Sequence, residues 1–471
     1  MNSKQSNSIE ALFQAQKDAF ALEPFPSARL RKKRLNRLKT LLLQHKTELA
    51  ELISQDFGCR SPIETALAEV FTSLEGINYQ KRHLGLWMKP EDRAVSLWFF
   101  PGRCQVYYQP KGVVGIIAPW NYPLYLTLGP LSTALAAGNR AMLKLPEQTP
   151  LFSERLAQLI GQYFAPEEVV AVTGGPQIGQ DFSAIPWDHL FFTGSTEVGK
   201  KVMAQAAKNL VPVTLELGGK SPCIITPGYP AAKAAERILV TKALNAGQTC
   251  IAPDYLLVPK GELAPLITAF KDTMALHYPS VEGNLDYTSI INKKHFDRLE
   301  ALYKEALALG AKPIPLLEGP VFFGKSRKIV PTLLTNVTGS MRIMQEEIFG
   351  PFLPILEVEN FDAALNYVAL QPRPLAAYLF SEKRGQVKRF LEQVHAGGVV
   401  INHCLYHVAQ DDLPFGGLGP SGMGRYHGFE GFQTFSNAKS VYRHGFIDSA
   451  KLTYPPYGKA IGRLLKLMLF R

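Results

Sequence analysis

Residues 112–145 read "GVVGIIAPWNYPLYLTLGPLSTALAAGNRAMLKL", and their pattern decides the fold. "GVVGIIAP" predicts a strand that is apolar on both faces, residues 123–137 predict a helix, and "RAMLKL" predicts a second strand. Strand, helix and strand in that order make a right-handed parallel unit, and parallel sheets are covered by helices on both sides. The alternation continues with a helix over 151–164, a strand in "EVVAVT", another in "DHLFFT", and a helix entered through "GSTEVGK". A second series follows "TLELGGKSP": the strand "CIIT", a helix over about 231–244, the strand "DYLLVPK", and further elements to "GGVVIN". The fold class is α/β, with two doubly wound units joined near Gly218.

A chain of 471 residues calls for two or three structural units. Its 46% hydrophobic and 19% charged residues are those of an ordinary globular protein. The N-terminus "MNSKQSNSIEALF" lacks the apolar core of a signal peptide, and no stretch approaches the roughly 20 apolar residues of a membrane span. Five cysteines, an odd number with no CxxC pair, fit a reducing cytoplasm better than a disulfide framework. The net charge of +11 comes from two places, "RLRKKRLNRLK" (29–39) and the tail from Ile447 to Arg471. In the first, Leu30, Leu38, Leu41, Leu42 and Leu49 form a helical stripe with Ser27 as N-cap and Gly58 as stop. The basic residues then read as a solvated helix face. No zinc-finger, RRM or KH signature accompanies the charge, which argues against nucleic-acid binding.

Cysteine is usually buried as a small hydrophobe, and Cys59, Cys104, Cys223 and Cys404 fit that reading. Cys250 does not, because "NAGQTCIAPD" surrounds it with small and polar residues. Gly194 and Ser195, between a strand and a helix, suit close approach of a phosphate to a helix N-terminus, although the GxGxxG fingerprint is absent. Lys144 and Glu147 follow a strand's C-terminal end, where open α/β sheets bind ligands. Glu216 sits between leucines and ahead of two glycines, a setting for a partly buried carboxylate of raised pKa suited to general-base work. Asn121, between prolines in "PWNYP", can aim its amide at an oxyanion. His403 and His407 are four apart, but with no third ligand nearby no metal site is expected. Residues 411–425, "DDLPFGGLGPSGMGR", form a glycine-rich loop too long for a simple turn.

Taken in series, "PWNYP", "FTGST", "LELGGKSP", "NAGQTC", "QEEIFGP" and "PFGGLGPSGMGRYHG" resemble the aldehyde dehydrogenase superfamily from about residue 10 to residue 440. "GQTCIAPDY" and the short N-terminus resemble its class 3 branch, and "GPSGMGRYHGFEGF" resembles that branch's coniferyl aldehyde dehydrogenases. The resemblance implies a cofactor domain over 1–217, with a strand near 101–110 used in oligomerisation. It implies a catalytic domain over 218–415 and a return to the cofactor domain and an oligomerisation strand over 416–446. Residues 447–471 remain as an amphipathic tail.

The resemblance also implies NAD(P)-dependent oxidation of an aldehyde to the acid, through a thiohemiacetal and a thioester on Cys250. Asn121 and the Cys250 N–H match the oxyanion hole. Glu216 matches the base for the thiol, the deacylating water, or both. Lys144 and Glu147 match adenosine-ribose contacts that favour NAD, with NADP left open. Trp120, Gly194 and Ser195 match other cofactor contacts, and Glu347 and Phe349 match the residues that position the nicotinamide ribose and ring. A coniferyl-type aromatic aldehyde is the first substrate choice, and a medium- or long-chain aliphatic aldehyde the alternative. Two rivals are a non-catalytic protein of this fold, against which the Cys250, Glu216 and Asn121 set weighs, and a CoA-acylating relative, against which Glu216 weighs. A homodimer is expected. The tail "GKAIGRLLKLMLFR" is expected to pack on this subunit or a partner in preference to a membrane interface.

Overall fold

In the computed structural model, which describes residues 2–448, 451 and 454–469, the strand Val113–Ile117 lies inside a six-stranded sheet. It pairs in parallel with Arg140–Lys144 on one side and His189–Thr193 on the other. Val169–Val172 extends the first side, and Val213–Glu216 and then Gly422–Met423 extend the second. Only the Gly422–Met423 pairing is antiparallel. Val113 and Ile117 face an apolar cluster with Phe182 and Trp187, whereas Val114 and Ile116 face another with Leu131 and Phe191. Side chains alternate along a strand, so a wholly apolar segment fills both layers. The helices meant to cover this sheet form as Tyr125–Ala137 and Pro150–Tyr163, within two residues of the sequence boundaries.

The chain leaves this sheet after Glu216 and enters a seven-stranded one at Pro222. The order there is Lys312–Pro315, Thr332–Thr335, Phe352–Val358, Tyr255–Pro259, Pro222–Ile225, Ala376–Phe380 and Gly398–Ile401. All neighbours except the first pair are parallel. A third, antiparallel sheet joins Glu91–Arg93, Arg103–Pro110 and Ser436–Arg443. The architecture is α/β with two parallel sheets, as the alternating pattern requires.

The helix Tyr125–Ala137 is buried nearly all round, so its unpaired terminal groups need partners from elsewhere. Glu69 Oε2 accepts from the N–H groups of Leu124 (2.8 Å) and Tyr125 (3.1 Å) at the N-terminus. Arg31 Nη1 donates to the carbonyls of Ala136 (3.1 Å) and Ala137 (2.7 Å) at the C-terminus. Each charge sits at the end the helix dipole favours. Burial, followed by the charge of Arg34, lowers the Arg31 pKa to about 10.

The helix that carries Arg31, Ala28–Phe57, starts at Ser27 and stops at Gly58 as the sequence predicts. The solvated-face reading of residues 29–39 needs correction. Arg31 and Arg34 are buried, Arg34 because it pairs with Glu168 and Glu23. Lys32 and Lys33 remain exposed. In the tail, Lys459–Leu469 is helical, with Ile461 and Leu464 half-buried and the rest exposed. Phe470 and Arg471 lie outside the described residues.

Arg60 is fully buried and pairs with Glu64 (3.2 Å) and Glu69 (2.9 Å). Replacing it leaves two buried carboxylates without a counter-charge, which costs far more than the intact network contributes. Arg60→Met is expected to lose about 3–5 kcal/mol in denaturant unfolding at unchanged m-value. A loss within error would mean that the carboxylates find other partners.

Candidate active site

In the six-stranded sheet the chain order reverses between Val113–Ile117 and His189–Thr193. A crevice is expected beyond the C-terminal ends of strands at such a switch point. Pro119 and Trp120 follow the first strand, and Gly194 and Ser195 follow the second. All four line two adjoining cavities of about 640 and 550 Å3. Lys144 and Glu147, joined as an ion pair, line the larger. Asn121, Glu216, Cys250, Glu347 and Phe349 line the smaller together with Trp120, Gly194 and Ser195. All ten residues singled out in the sequence therefore meet in one continuous crevice.

Cys250 arrives there on a strained turn. The helix Ala231–Ala243 runs into Asn245, Ala246 and Gly247 with φ of 51°, 50° and 74°. Consecutive left-handed residues are costly and persist only when their surroundings over-determine them. Asn245 Nδ2 donates to the carbonyls of Asn121 (2.8 Å) and Gln248 (3.1 Å). Gln248 Nε2 donates to Asn245 and Ser289 carbonyls, and its Oε1 accepts from the Ile291 N–H. Any Cβ at Gly247 would collide with the Gly350 carbonyl. Tyr122 and Thr249 hydroxyls meet at 2.8 Å and brace the turn from the other side.

Asn121 is held by the same groups. Its carbonyl accepts from Asn245 and from Arg60 Nη1 (3.2 Å), and its side-chain amide donates to the Gln248 carbonyl (3.2 Å). One amide hydrogen is thus engaged and the second remains. Glu216 closes the strand Val213–Glu216 and is buried, with no hydrogen-bond partner on either carboxylate oxygen. The glycine loop folds back so that Gly422 pairs with Glu216, and a Cβ at Gly416 would sit 2.9 Å from Glu216 Oε1. This gives residues 411–425 a structural use beside the carboxylate.

Burial pushes the Glu216 carboxyl far above the usual range, and the Arg425 charge only partly opposes it. Burial raises the Cys250 thiol, as do the charges of Glu347 and Glu216, while the N–H groups of Cys250 and Ile251 pull the other way. Glu347 is raised to about 8, by burial and then by Asp254. Its Oε1 and the Thr193 hydroxyl have no partner although both residues line the cavity. These orphaned groups, and the N-terminus of Thr196–Ala207 opening on the crevice, fit a ligand that brings hydroxyls and phosphates.

His295 and Arg298 also line the smaller cavity and were missed in the sequence. Their helix, Lys293–Ala308, lies between the quoted motifs, and Asn292, which caps it, was the available signal. The His295 ring lies 4.9 Å from Trp120, and burial, then Arg298 and Lys294, lowers its pKa to about 4. Phe349 meets Trp120 edge-on at 5.4 Å. The other cysteines divide: Cys223 and Cys404 are buried, whereas Cys59 and Cys104 are half-exposed, correcting their expected burial. His403 and His407 share no regular α-helix, and His403 stacks on Tyr406 at 3.9 Å. Among the described residues no cluster of three or more His, Cys, Asp or Glu side chains is placed to hold a metal ion.

The family model for the aldehyde dehydrogenase family matches residues 1–441. The chain belongs to that family. A probable coniferyl aldehyde dehydrogenase of Pseudomonas aeruginosa is 49% identical over 465 residues, covering 99% of this chain and 97% of that protein. A coniferyl aldehyde dehydrogenase of Pseudomonas sp. is 46% identical over 444 residues, covering 93% and 92%. The substrate-bound structure of Staphylococcus aureus AldH superposes with a TM-score of 0.92 at 37% identity, over 98% of this chain and 99% of that one. Indole-3-acetaldehyde dehydrogenase of P. syringae, in complex with NAD+, gives 0.85 at 25% identity, over 93% and 89%. This protein is an aldehyde-oxidising oxidoreductase, and a nicotinamide cofactor goes with the fold.

The raised carboxyl sets a sign for stability. Glu216 holds its proton more tightly in the fold than in the unfolded chain, so ionisation costs stability as pH climbs from 4.5 toward the raised value. Glu216→Gln carries no such loss. The variant is expected to melt above the wild type at alkaline pH, with the gap closing on acidification below 4.5. A gap independent of pH would show that Glu216 is not held neutral by burial.

Proposed function

We propose that this protein oxidises a coniferyl-type aromatic aldehyde to the carboxylic acid, with Cys250 as nucleophile, Glu216 as base and Asn121 as oxyanion donor. The observation that carries this reading is the meeting of Cys250, Glu216 and Asn121 on one cavity. Cys250 Sγ attacks the aldehyde carbon, the C–S bond forms, and the thiol proton passes to Glu216 in its ionised form. A resting thiol that is neutral needs such a base. The carbonyl oxygen gains negative charge and takes the unengaged hydrogen of the Asn121 amide together with the Cys250 N–H. The nicotinamide cofactor, when bound, supplies the hydride acceptor that turns the thiohemiacetal into a thioester. Glu216 releases the thiol proton to solvent, then takes a proton from water as the water oxygen adds to the thioester carbon, and returns it to the sulfur. The C–S bond breaks, the acid leaves, and the sulfur regains a proton.

The names of the two Pseudomonas relatives support the aromatic substrate. NAD is the proposed cofactor, because the Glu147 carboxylate beside Lys144 would repel a 2′-phosphate. Lys144, Glu147 and Ser195 would hold its adenosine side and phosphates, while Glu347, Phe349, Trp120 and Gly194 would hold the nicotinamide side. We also propose a homodimer formed through the edge strand Ser436–Arg443, whose residues are mostly exposed. A reducing cytoplasm suits the five free cysteines.

Cys250→Ala is expected to lose on the order of 10³-fold or more in kcat while NAD binding by calorimetry is retained. Substantial turnover by the pure variant would remove Cys250 from the mechanism. Glu147→Ser is expected to move the NADP/NAD ratio of kcat/KM toward NADP through the cofactor KM. An unchanged ratio would mean that the adenosine ribose is read elsewhere. For substrate, kcat/KM for coniferaldehyde is expected to exceed that for decanal, and the reverse order would assign an aliphatic aldehyde.

A further inference from the structure

In the proposed reaction Glu216 takes up the thiol proton while the nicotinamide cofactor occupies the cavity on which the carboxyl opens. Glu216 must lose that proton before it can act on water, and it is buried. One way out leads through Tyr426. A Cβ at Gly416 would stand 2.9 Å from Glu216 Oε1 and 3.1 Å from Arg425 Cδ, so the carboxyl and the residue preceding Tyr426 meet over one glycine. The Phe415 ring, one residue before that glycine, lies 5.8 Å from the Tyr426 ring. Burial holds the Tyr426 phenol protonated, and the charges of Tyr125, Glu216 and Cys250 push the same way. The Tyr125 hydroxyl stands beside it but bonds to His427 Nε2 at 3.0 Å. The Tyr426 hydroxyl is left buried without a well-formed hydrogen bond, a condition that calls for a physical reason.

Tyr426 also lines a small cavity, of about 20 Å3, together with Ser73, Gln80, Tyr125, His427 and Asp411. Four groups on its wall lack a well-formed hydrogen bond among the described residues. They are the Tyr426 hydroxyl, the Ser73 hydroxyl, Gln80 Oε1 and His427 Nδ1. A polar cavity of this size accommodates about one water, and a buried water needs two to four polar partners. An apolar occupant would leave all four groups unsatisfied, so the walls suit water. Asp411 completes the wall and is half-buried, which joins the cavity to solvent. Its carboxyl is raised to about 6, by burial and then by Glu75, with Arg82 opposing. A group that titrates near neutrality both takes and gives protons readily.

Resting on the reading of Glu216 as base, we propose that Tyr426, one buried water and Asp411 form the route by which the thiol proton leaves the site. The Glu216 carboxyl gives its proton to the Tyr426 oxygen as the Tyr426 proton passes to the water. The water gives a proton to the Asp411 carboxylate, which releases it to solvent. Each O–H bond broken is matched by one formed, and Glu216 returns to the carboxylate that hydrolysis needs. Tyr426→Phe tests the route, because the ring keeps its contacts with Phe191 and Phe415 and only the hydroxyl is lost. The enzyme is mixed rapidly with NAD and an aldehyde that the wild type oxidises, and NADH fluorescence and a pH indicator are followed together. In the wild type one proton should appear with each NADH of the first turnover. In Tyr426→Phe a burst of NADH should come first and the proton should lag, with steady turnover lowered about 100-fold. Asp411→Asn, at the half-buried end of the route, should delay the proton in the same way. A loosened fold would slow the burst itself and would not separate the proton from the NADH. Wild-type turnover in Tyr426→Phe, loss of the burst, or a proton that keeps pace with NADH in both variants would overturn the route. Glu216→Gln, run beside them, separates the two claims. If it is slow while Tyr426→Phe is normal, the route alone fails; if it turns over like the wild type, the base fails and the route with it.

Discussion

The carbonyl oxygen of Asn121 is the point on which the site depends. Arg60 reaches it from the N-terminal helices, and Asn245 reaches it from the turn that carries Cys250. Three stretches far apart in sequence are thereby fixed to one atom. Asn121 returns the contact through its own amide on Gln248. Arg60 is in turn paired to Glu69, whose other oxygen caps the buried helix that follows Asn121. The left-handed run at Asn245–Gly247 costs energy and would relax if any of these supports failed. Placement of the Cys250 thiol on the same cavity as the Asn121 amide is therefore a property of packed helices and buried charge as much as of the loop itself.

The same crevice holds carboxyl groups in surroundings that penalise their charge. Glu216 has no hydrogen-bond partner, and Glu347 sits beside Asp254. A fold selected for stability alone would replace such groups, since unpaired buried carboxylates destabilise. Their retention is understandable where one must take a proton and another must meet a ligand hydroxyl. A raised carboxyl is a stronger base when ionised, and a buried thiol needs one.

The two parallel sheets were legible because strands buried on both faces are apolar throughout, and because glycine and proline punctuate the helices between them. Asn121, Lys144, Glu147, Gly194, Ser195, Glu216 and Cys250 were legible from their local sequence settings, whereas Trp120, Glu347 and Phe349 were named only through the family resemblance. Arg31 was not legible. A helical wheel shows a cation on an outer face but cannot show the helix end that comes to meet it. His295 was missed because its helix has an ordinary sequence and is brought to Trp120 only by the tertiary fold. Nothing in "LNAG" marks Asn245 and Ala246 as left-handed, since their conformation is imposed by hydrogen bonds from Asn121, Gln248 and the segment around Ser289. The tail's amphipathic face was visible in the sequence.

The claim that covalent chemistry occurs at Cys250, with Glu216 as the base that ends it, is tested most directly by trapping the intermediate. Enzyme is mixed with NAD and coniferaldehyde, quenched in acid, digested, and mapped by mass spectrometry. The account predicts an acyl adduct on the peptide bearing Cys250, transient in the wild type and accumulating in Glu216→Gln. An adduct on any other residue, or steady turnover with no adduct on Cys250 at any time, would contradict it.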